Sequence, residues 1–243
     1  MTSGRIRLAL FDLDHTLLPI DSADAWSHFV VRAGELDQES YTARIRRFAD
    51  QYRSGNFDPE EYLAFQMGLL ARFPRAGLER LRARFVATQI EPHLRSEAFE
   101  LIDMHRRNGD ELALITGTNA FVTAPIAALF GLAHLMAVRP EEAGGRFTGR
   151  YTGSHTYGRG KVAAVESFLA QRGLGPEALR DATFYSDSIN DLPLLERVAA
   201  AGGRAVVTNG DAPLRAQAGA RGWPTLELFA TQARFGDPVA GGA

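Results

Sequence analysis

Two aspartates, Asp12 and Asp14, stand at the end of a short apolar run that covers residues 6–11. Such a run is typical of a strand buried on both faces of a parallel sheet. Side chains alternate along a strand, so the two carboxylates project the same way if the extended conformation continues. Adjacent anions repel each other unless one is protonated or a cation joins them, and Mg²⁺ prefers oxygen ligands. The pair indicates a metal site, although aspartates at strand ends also form turns and cap helices.

Two further polar clusters, at residues 116–119 and 186–191, each follow a predicted strand. Because parallel strands place their carboxyl ends along one edge of a sheet, all three clusters should meet there. Asp187 and Asp191 would bring the number of acids at that edge to four. Both could equally cap the helix that follows them.

The remaining polar residues suggest phosphoryl chemistry. Thr116 offers a hydroxyl, and the turn at residues 117–119 opens a helix whose free N–H groups form an anion site. Lys161, in the stretch GRGKV, is a compact cation suited to a phosphate oxygen. Metal, lysine, hydroxyl and helix N-terminus together describe a phosphoryl-transfer site, where a carboxylate could form an aspartyl phosphate. Taken singly, Thr116 could be a turn residue and Lys161 a solvated one.

The order of predicted elements separates two regions. Residues 19–90 predict four amphipathic helices and no strand, which favours an inserted α-helical bundle, here called the cap. From residue 92 onward strands alternate with helices, which favours an α/β fold, and a β-hairpin is expected at residues 142–157. We therefore predict a Rossmann-like parallel sheet core with helices on both faces, formed by residues 1–18 and 91–235, and a flexible tail at residues 236–243. The cap helices are expected at residues 21–33, 42–53, 59–72 and 78–89.

Composition limits the classes of partner. The chain of 243 residues is 45% hydrophobic with a net charge of −2, and no basic tract indicates a nucleic-acid surface. It contains no cysteine, so a thiolate nucleophile or a cysteine zinc site is excluded. No apolar run is long enough for a membrane span, and the first strand begins too early for a secretory signal. We expect a cytoplasmic protein with a small-molecule partner, and the oligomeric state is not readable from the sequence.

Four stretches resemble the motifs of the haloacid dehalogenase superfamily: FDLDHTLL, ITGT, the lysine of GRGKV, and YSDSINDLPLL. A helical cap directly after the first motif resembles the phosphoserine-phosphatase-like branch, subfamily IB. The resemblance implies a Mg²⁺-dependent phosphomonoester hydrolase that works through an aspartyl-phosphate intermediate. A phosphotransferase using the same intermediate and a non-enzymatic phosphate or Mg²⁺ sensor remain as alternatives.

The same resemblance implies a role for each catalytic residue. Asp12 would attack phosphorus, and Asp14 would protonate the leaving alcohol and then activate water. Thr116 and backbone N–H groups such as that of Gly117 would hold the phosphoryl oxygens, while Lys161 would neutralise charge in the transition state. Asp14 favours a phosphomonoester because an alkoxide leaving group needs a proton.

The resemblance also implies binding roles. The carboxylates of Asp12 and Asp187 and the carbonyl of Asp14 would bind Mg²⁺. Asp191 would support Lys161, and Asn190 would contact phosphate.

The substrate is predicted from the cap. Phosphoserine-specific relatives bind the substrate ammonium with an acid nine residues after the nucleophile, where this chain has Asp21, although Asp21 could equally cap a helix. The cap, the stretch FVTAPIA and YSDSINDLPLL resemble a bacterial group, some members of which are associated with histidinol phosphate. We therefore expect a small amine-bearing phosphomonoester, with histidinol phosphate ranked first and phosphoserine second.

Overall fold

A computed structural model of the protein describes residues 6–34, 36–54 and 56–229, so the predicted tail at residues 236–243 lies outside the described residues. Seven strands in this part of the chain form one sheet: β1 (Leu8–Phe11), β2 (Glu111–Asn119), β3 (His134–Ala143), β4 (Arg146–Thr152), β5 (Ala182–Ser186), β6 (Arg204–Thr208) and β7 (Thr225–Leu226). Their spatial order is β4-β3-β2-β1-β5-β6-β7. All neighbouring pairs are parallel except β3 and β4.

β1 lies at the centre of this sheet, where the strand order reverses. Phe11 is in register with Leu114 of β2 on one side and with Tyr185 of β5 on the other. The carboxyl ends of the three strands therefore lie side by side. In open α/β sheets a reversal of this kind leaves a crevice in which ligands bind.

Helices cover both faces of the sheet, which confirms the predicted α/β fold. The described residues form nine α-helices: α1 (Ser22–Ala33), α2 (Gln38–Ser54), α3 (Pro59–Ala71), α4 (Arg75–Phe85), α5 (Ser96–Arg107), α6 (Ala120–Leu129), α7 (Arg159–Ala170), α8 (Leu192–Ala200) and α9 (Ala212–Arg221). The alternation along β1 divides the core: Ala9 and Phe11 pack among cap helices, α5 and α6, whereas Leu8 and Leu10 pack among α7, α8 and α9.

Helices α1 to α4 form the predicted bundle between β1 and α5. Trp26 of α1 is fully buried and its ring lies 5.3 Å from that of Phe85 and 6.0 Å from that of Phe121 in α6, so the bundle packs directly on the sheet-covering helices. α4 ends earlier than predicted, because a single π-helical turn, Val86–Ile90, replaces its last turn. The domain boundaries at residues 18 and 90 stay predictions.

The hairpin differs from its prediction. The sequence pattern places both of its strands within residues 142–157, but the first is the end of β3, and the turn lies at Gly144 and Gly145, which both have positive φ. A two-residue turn of that conformation matches the twist of a hairpin. The second strand, β4, contacts the bundle through Tyr151, whose hydroxyl donates to the Glu60 carboxylate at 2.8 Å. None of the described helices has the length and apolar character needed to cross a membrane.

Candidate active site

A cavity of about 410 Å³ lies where the carboxyl ends of β1, β2 and β5 face the cap. Eight of the nine predicted site residues line it: Asp12, Asp14, Asp21, Gly117, Lys161, Asp187, Asn190 and Asp191. The sheet topology therefore brings together three clusters that are far apart in sequence, as the predicted parallel sheet requires.

At the floor of the cavity the Lys161 ammonium lies between two carboxylates. Its Nζ donates to Asp12 at 2.6 Å and to Asp191 at 2.6 Å, and all three side chains are buried. The second Asp12 oxygen accepts from the Thr16 hydroxyl at 3.1 Å, and Asp191 also accepts from Ser186 at 2.6 Å. Charge-assisted hydrogen bonds of this kind hold the Asp12 carboxylate in one orientation at the end of β1.

The electrostatics of this cluster are dominated by burial. Burial raises the pKa of Asp12 to about 7, with further contributions from Asp191 and Asp14, while Lys161 acts in the opposite direction. Burial alone would lower the pKa of Lys161, but the charges of Asp12 and Asp191 raise it above its ordinary value. Among the described lining residues Lys161 is the only lysine or arginine, so a further cation would stabilise the ionised carboxylates.

Asp14 accepts hydrogen bonds on both of its carboxylate oxygens. The backbone N–H of Ser22, at the start of α1, donates to one carboxylate oxygen at 2.7 Å, and the Thr118 hydroxyl donates to the other at 2.9 Å. Burial, with a contribution from Asp21, raises the pKa of Asp14 to about 7. A carboxyl group with a pKa near neutrality can both donate and accept a proton, as general acid–base chemistry requires.

The predicted metal ligands fit a hard cation by their donor chemistry. Asp12 and Asp187 are buried carboxylates that line the same cavity, and Mg²⁺ binds through oxygen. Within residues 6–229, as far as they are described, no three histidine, aspartate or glutamate side chains are placed to hold a metal ion together. The predicted set contains only two ligating side chains, because its third ligand is the Asp14 carbonyl, so the set stays a prediction.

Thr116 is the predicted site residue that the structure does not place on the cavity wall. It is fully buried, its hydroxyl accepts from the Thr118 N–H at 3.1 Å, and its carbonyl accepts from the Thr156 hydroxyl at 2.5 Å. The wall is formed instead by the next residues, Gly117 to Asn119, at the N-terminus of α6. Phosphoryl binding by Thr116 stays a prediction.

The cap reaches the sheet edge through Tyr52 of α2. Its hydroxyl accepts from the Asn190 amide at 2.9 Å and lies 3.0 Å from the Ser188 hydroxyl. Asp21 does cap α1, since it accepts from the Asp24 N–H at 2.8 Å, and it also lines the cavity. The capping interpretation is confirmed, and nothing in it prevents Asp21 from facing a substrate.

Sequence reasoning missed several residues that shape the site. Thr16, Thr118 and Ser186 donate to the carboxylates of Asp12, Asp14 and Asp191 and so orient them. The sequence did carry a signal for these three donors, because each lies within a polar cluster that follows a strand. Asn209 carried no such signal: its amide donates to the carbonyl of His15 at 2.8 Å and so ties down the loop after β1. The aromatic side chains on the cap wall have no pattern that separates them from core residues; they are Tyr52, Phe57 and Tyr62.

The sequence of this chain is similar to those of known hydrolases. Residues 9–196 match the family described as haloacid dehalogenase-like hydrolase. A histidinol-phosphatase from Neisseria meningitidis serogroup C is 36% identical over 222 residues, which cover 91% of this chain and 98% of that protein.

Solved structures with a similar fold cover nearly the whole chain. A protein of unknown function from Bordetella pertussis Tohama I is 42% identical, with a TM-score of 0.85 over 93% of this chain and all of that one. A phospho-aspartyl intermediate analogue of phosphoserine phosphatase has a TM-score of 0.65 over 94% of this chain and 96% of that one; at 18% identity the similarity concerns the fold.

Proposed function

This chain belongs to the haloacid dehalogenase-like hydrolase family, and from that premise we propose that it is a phosphatase that hydrolyses a small phosphomonoester through an aspartyl phosphate on Asp12. The observation that carries the proposal is the buried arrangement of Asp12, Lys161 and Asp191 beneath a cavity at the carboxyl edge of the sheet. A carboxylate held in one orientation beside an ammonium is suited to attack a phosphoryl group whose charge the ammonium shares.

The reaction proceeds in two displacements. An Asp12 oxygen attacks phosphorus, the bond between phosphorus and the ester oxygen breaks, and Asp14 donates its proton to the departing alkoxide. Water then attacks phosphorus and gives a proton to Asp14, and the bond between phosphorus and the Asp12 oxygen breaks. This step releases inorganic phosphate and restores the Asp12 carboxylate. Lys161 and the N–H groups at the start of α6 bind the phosphoryl oxygens, and Asn190 contacts phosphate.

Mg²⁺ would be held by Asp12, Asp187 and the Asp14 carbonyl. When bound, it supplies positive charge that offsets repulsion between the phosphate dianion and the buried carboxylates. Asp191 keeps Lys161 in place through its 2.6 Å contact.

The substrate proposed is a small amine-bearing ester, with histidinol phosphate first and phosphoserine second. The relative named histidinol-phosphatase supports this order, because the match extends over 98% of that protein. The cavity supports it as well: Asp21 offers a carboxylate to an ammonium, and no arginine is present among its described lining residues to bind a substrate carboxylate. Phosphoserine carries such a carboxylate, and histidinol phosphate does not. A cytoplasmic location and the lack of nucleic-acid or membrane partners stay predictions.

The test is phosphate release, with Mg²⁺ and with EDTA, from histidinol phosphate, phosphoserine, phosphoethanolamine, sugar phosphates and nucleotides. We expect one amine-bearing ester to be hydrolysed far faster than the others and EDTA to abolish the rate. Weak Mg²⁺-dependent release of phosphate from every ester would support the proposed mechanism and reject the proposed amine-bearing substrate. Alcohol release without matching phosphate would indicate a phosphotransferase, and no turnover of any ester would favour a sensor.

A further inference from the structure

Gln66, on α3 of the cap, lines the cavity and is only 2% exposed. Its amide orientation follows from its neighbour Ser27. The Ser27 hydroxyl lies 2.7 Å from the Ala23 carbonyl, which can only accept, so that hydroxyl has no hydrogen left to donate. The contact of 2.7 Å between Gln66 and Ser27 must therefore be made by the amide nitrogen. The amide oxygen is directed away from Ser27 as a positioned acceptor.

That oxygen, Oε1, has no hydrogen-bond partner within the part of the chain that the structure describes. The Tyr62 hydroxyl lies one helical turn away and is near enough to the amide to affect the pKa of the phenol. Because a carbonyl oxygen carries two lone pairs, the Gln66 oxygen can accept a hydrogen bond from a ligand whether or not the Tyr62 hydroxyl also approaches it. Buried polar atoms without a partner are few in folded proteins. Because Gln66 lines the cavity, a ligand bound there that donates to its amide oxygen would supply the missing partner.

Aromatic rings continue the same wall. Phe57 lies 5.6 Å from the ring of Tyr52, 5.3 Å from that of Tyr62 and 5.4 Å from that of Tyr157, and all four residues line the cavity. A flat ring packs well against such a surface, and a cationic ring is attracted by its π faces.

The charges around the cavity exclude an acidic ligand group on this wall. Lys161, the only lysine or arginine among the described lining residues, is engaged by Asp12 and Asp191 at the sheet edge. Asp21 adds a further acid. A group that donates N–H bonds is accommodated here, and a carboxylate is repelled.

We propose that Gln66 is a specificity-determining residue, whose amide oxygen accepts a hydrogen bond from the ring N–H of a nitrogen heterocycle on the substrate, while the aromatic wall packs against that ring. The inference rests on the proposed phosphatase function and narrows its substrate class to phosphomonoesters that carry a flat N–H donor. In this proposal Gln66 recognises the heterocycle of the substrate, and other residues bind its phosphate.

The test compares Gln66→Leu with Gln51→Leu on two esters, histidinol phosphate and p-nitrophenyl phosphate. Gln51 is a matched control, since its amide oxygen is also buried without a hydrogen-bond partner in the described structure but does not line the cavity. For Gln66→Leu we expect kcat/KM on histidinol phosphate to fall about tenfold, mainly through KM, which is the size expected for one neutral hydrogen bond. Hydrolysis of p-nitrophenyl phosphate, and both activities of Gln51→Leu, should stay near the wild-type rate.

A second arm uses the unaltered protein and removes the donor from the substrate. Histidinol phosphate methylated at either ring nitrogen should be hydrolysed more slowly by the wild type for at least one isomer, and Gln66→Leu should no longer distinguish that isomer from the parent. The comparison of methylated and parent ester on the wild type needs no variant, so it tests the ring N–H even if Gln66→Leu fails to fold. Equal losses on both esters, or no effect of ring methylation, would overturn the proposal. Absence of phosphate release from either ester by the wild type would instead reject the proposed function.

Discussion

The Lys161 ammonium lies 2.6 Å from a carboxylate oxygen of Asp12, although 149 positions separate the two residues in the chain. The contact joins the end of β1 to the start of α7 and places the positive charge next to the proposed nucleophile. Lys161 is also the only lysine in the sequence, and there is no cysteine. A cysteine placed at residue 161 would therefore be the only thiol in the protein, and it can be modified selectively to test the contact.

Replacing Lys161→Cys should abolish turnover, because Asp12 and Asp191 would lose the ammonium that they share. Breaking a buried ion pair by removing one partner costs about 3–5 kcal/mol of stability, which urea unfolding would measure. The new thiol is unique, so alkylation in urea with 2-bromoethylamine, followed by refolding, restores an ammonium at nearly the same position. Activity should return with that reagent and stay absent with iodoacetamide, which adds a neutral group. If activity returned to the same level after both treatments, the charge at residue 161 would not be needed.

Thr118→Val should impair Asp14 without changing the shape of the site. The substitution removes the hydroxyl that donates to Asp14 at 2.9 Å, and loss of such a bond to a charged group costs about 1.5–3 kcal/mol. We expect kcat to fall by about 10- to 100-fold for an alkyl phosphate and less for p-nitrophenyl phosphate, whose leaving group needs no proton. Thr123→Val is the control, since that buried hydroxyl donates to the carbonyl of Asn119, the N-cap of α6, and not to Asp14. The same loss with both esters would argue against a role of Thr118 through Asp14.

Asn209→Ala should loosen the loop that follows β1 and carries Asp12 and Asp14. The Asn209 amide donates to the His15 carbonyl at 2.8 Å and accepts from the Leu228 N–H at 2.7 Å, while its own φ of 51° lies in the left-handed region. Losing these buried bonds and placing alanine at positive φ should lower stability by about 2–4 kcal/mol. Urea unfolding would measure the loss, with Asn108→Ala, at an exposed helix end, as the control. A change within the error of that control would mean that Asn209 does not anchor the loop.

Asp24→Asn should change how stability depends on pH. Burial raises the pKa of Asp24 from 3.8 to about 6, so between these values the folded protein binds the proton more tightly than the unfolded chain. The contribution of Asp24 to stability is therefore most favourable below pH 4 and is lost as the pH rises through about 6. Asparagine removes this loss, so the variant should gain up to about 3 kcal/mol on the wild type at pH 8 and little at pH 4.

The measurement is urea unfolding at several pH values. Asp24 acts on its neighbour Asp21 and lies 3.8 Å from His28, so both are part of the same titrating group of side chains. Asp103→Asn, on the exposed face of α5, is the control. A variant whose advantage is independent of pH would contradict the assignment.

Much of the core could be predicted because its chemistry is local in the sequence. An apolar run that ends in aspartates is typical of a buried strand that leads into a polar site, and the same pattern recurs at Asp187 after β5, so the shared sheet edge follows from parallel strands. Lys161 could be predicted as a cation at that edge, because carboxylates placed close together repel one another unless a positive charge lies between them. Thr116 shows the limit of such reasoning: the sequence identifies the polar cluster, but not which of its residues faces the cavity.

The features that escaped prediction depend on long-range contacts or on unusual backbone. Asn209 meets the His15 carbonyl across 194 positions, and no local pattern announces such a bond. His15 has a φ of 59°, which lies in the left-handed region that favours glycine, and no local pattern predicts that backbone for a histidine. Gln66 was equally hidden, because a polar residue on an amphipathic helix is expected to face water and only the folded bundle shows it buried.

The central claim is that Asp12 becomes phosphorylated, and trapping that species tests it most directly. Asp14→Asn, mixed with p-nitrophenyl phosphate and Mg²⁺, should release nitrophenolate unaided but hydrolyse the acyl phosphate slowly, because no base activates water. Acid quenching followed by peptide mass spectrometry should then find about one phosphate per chain, bound to Asp12. Asp12→Asn should carry none and show no turnover. Phosphate on another residue, or a wild-type rate in Asp12→Asn, would contradict the account.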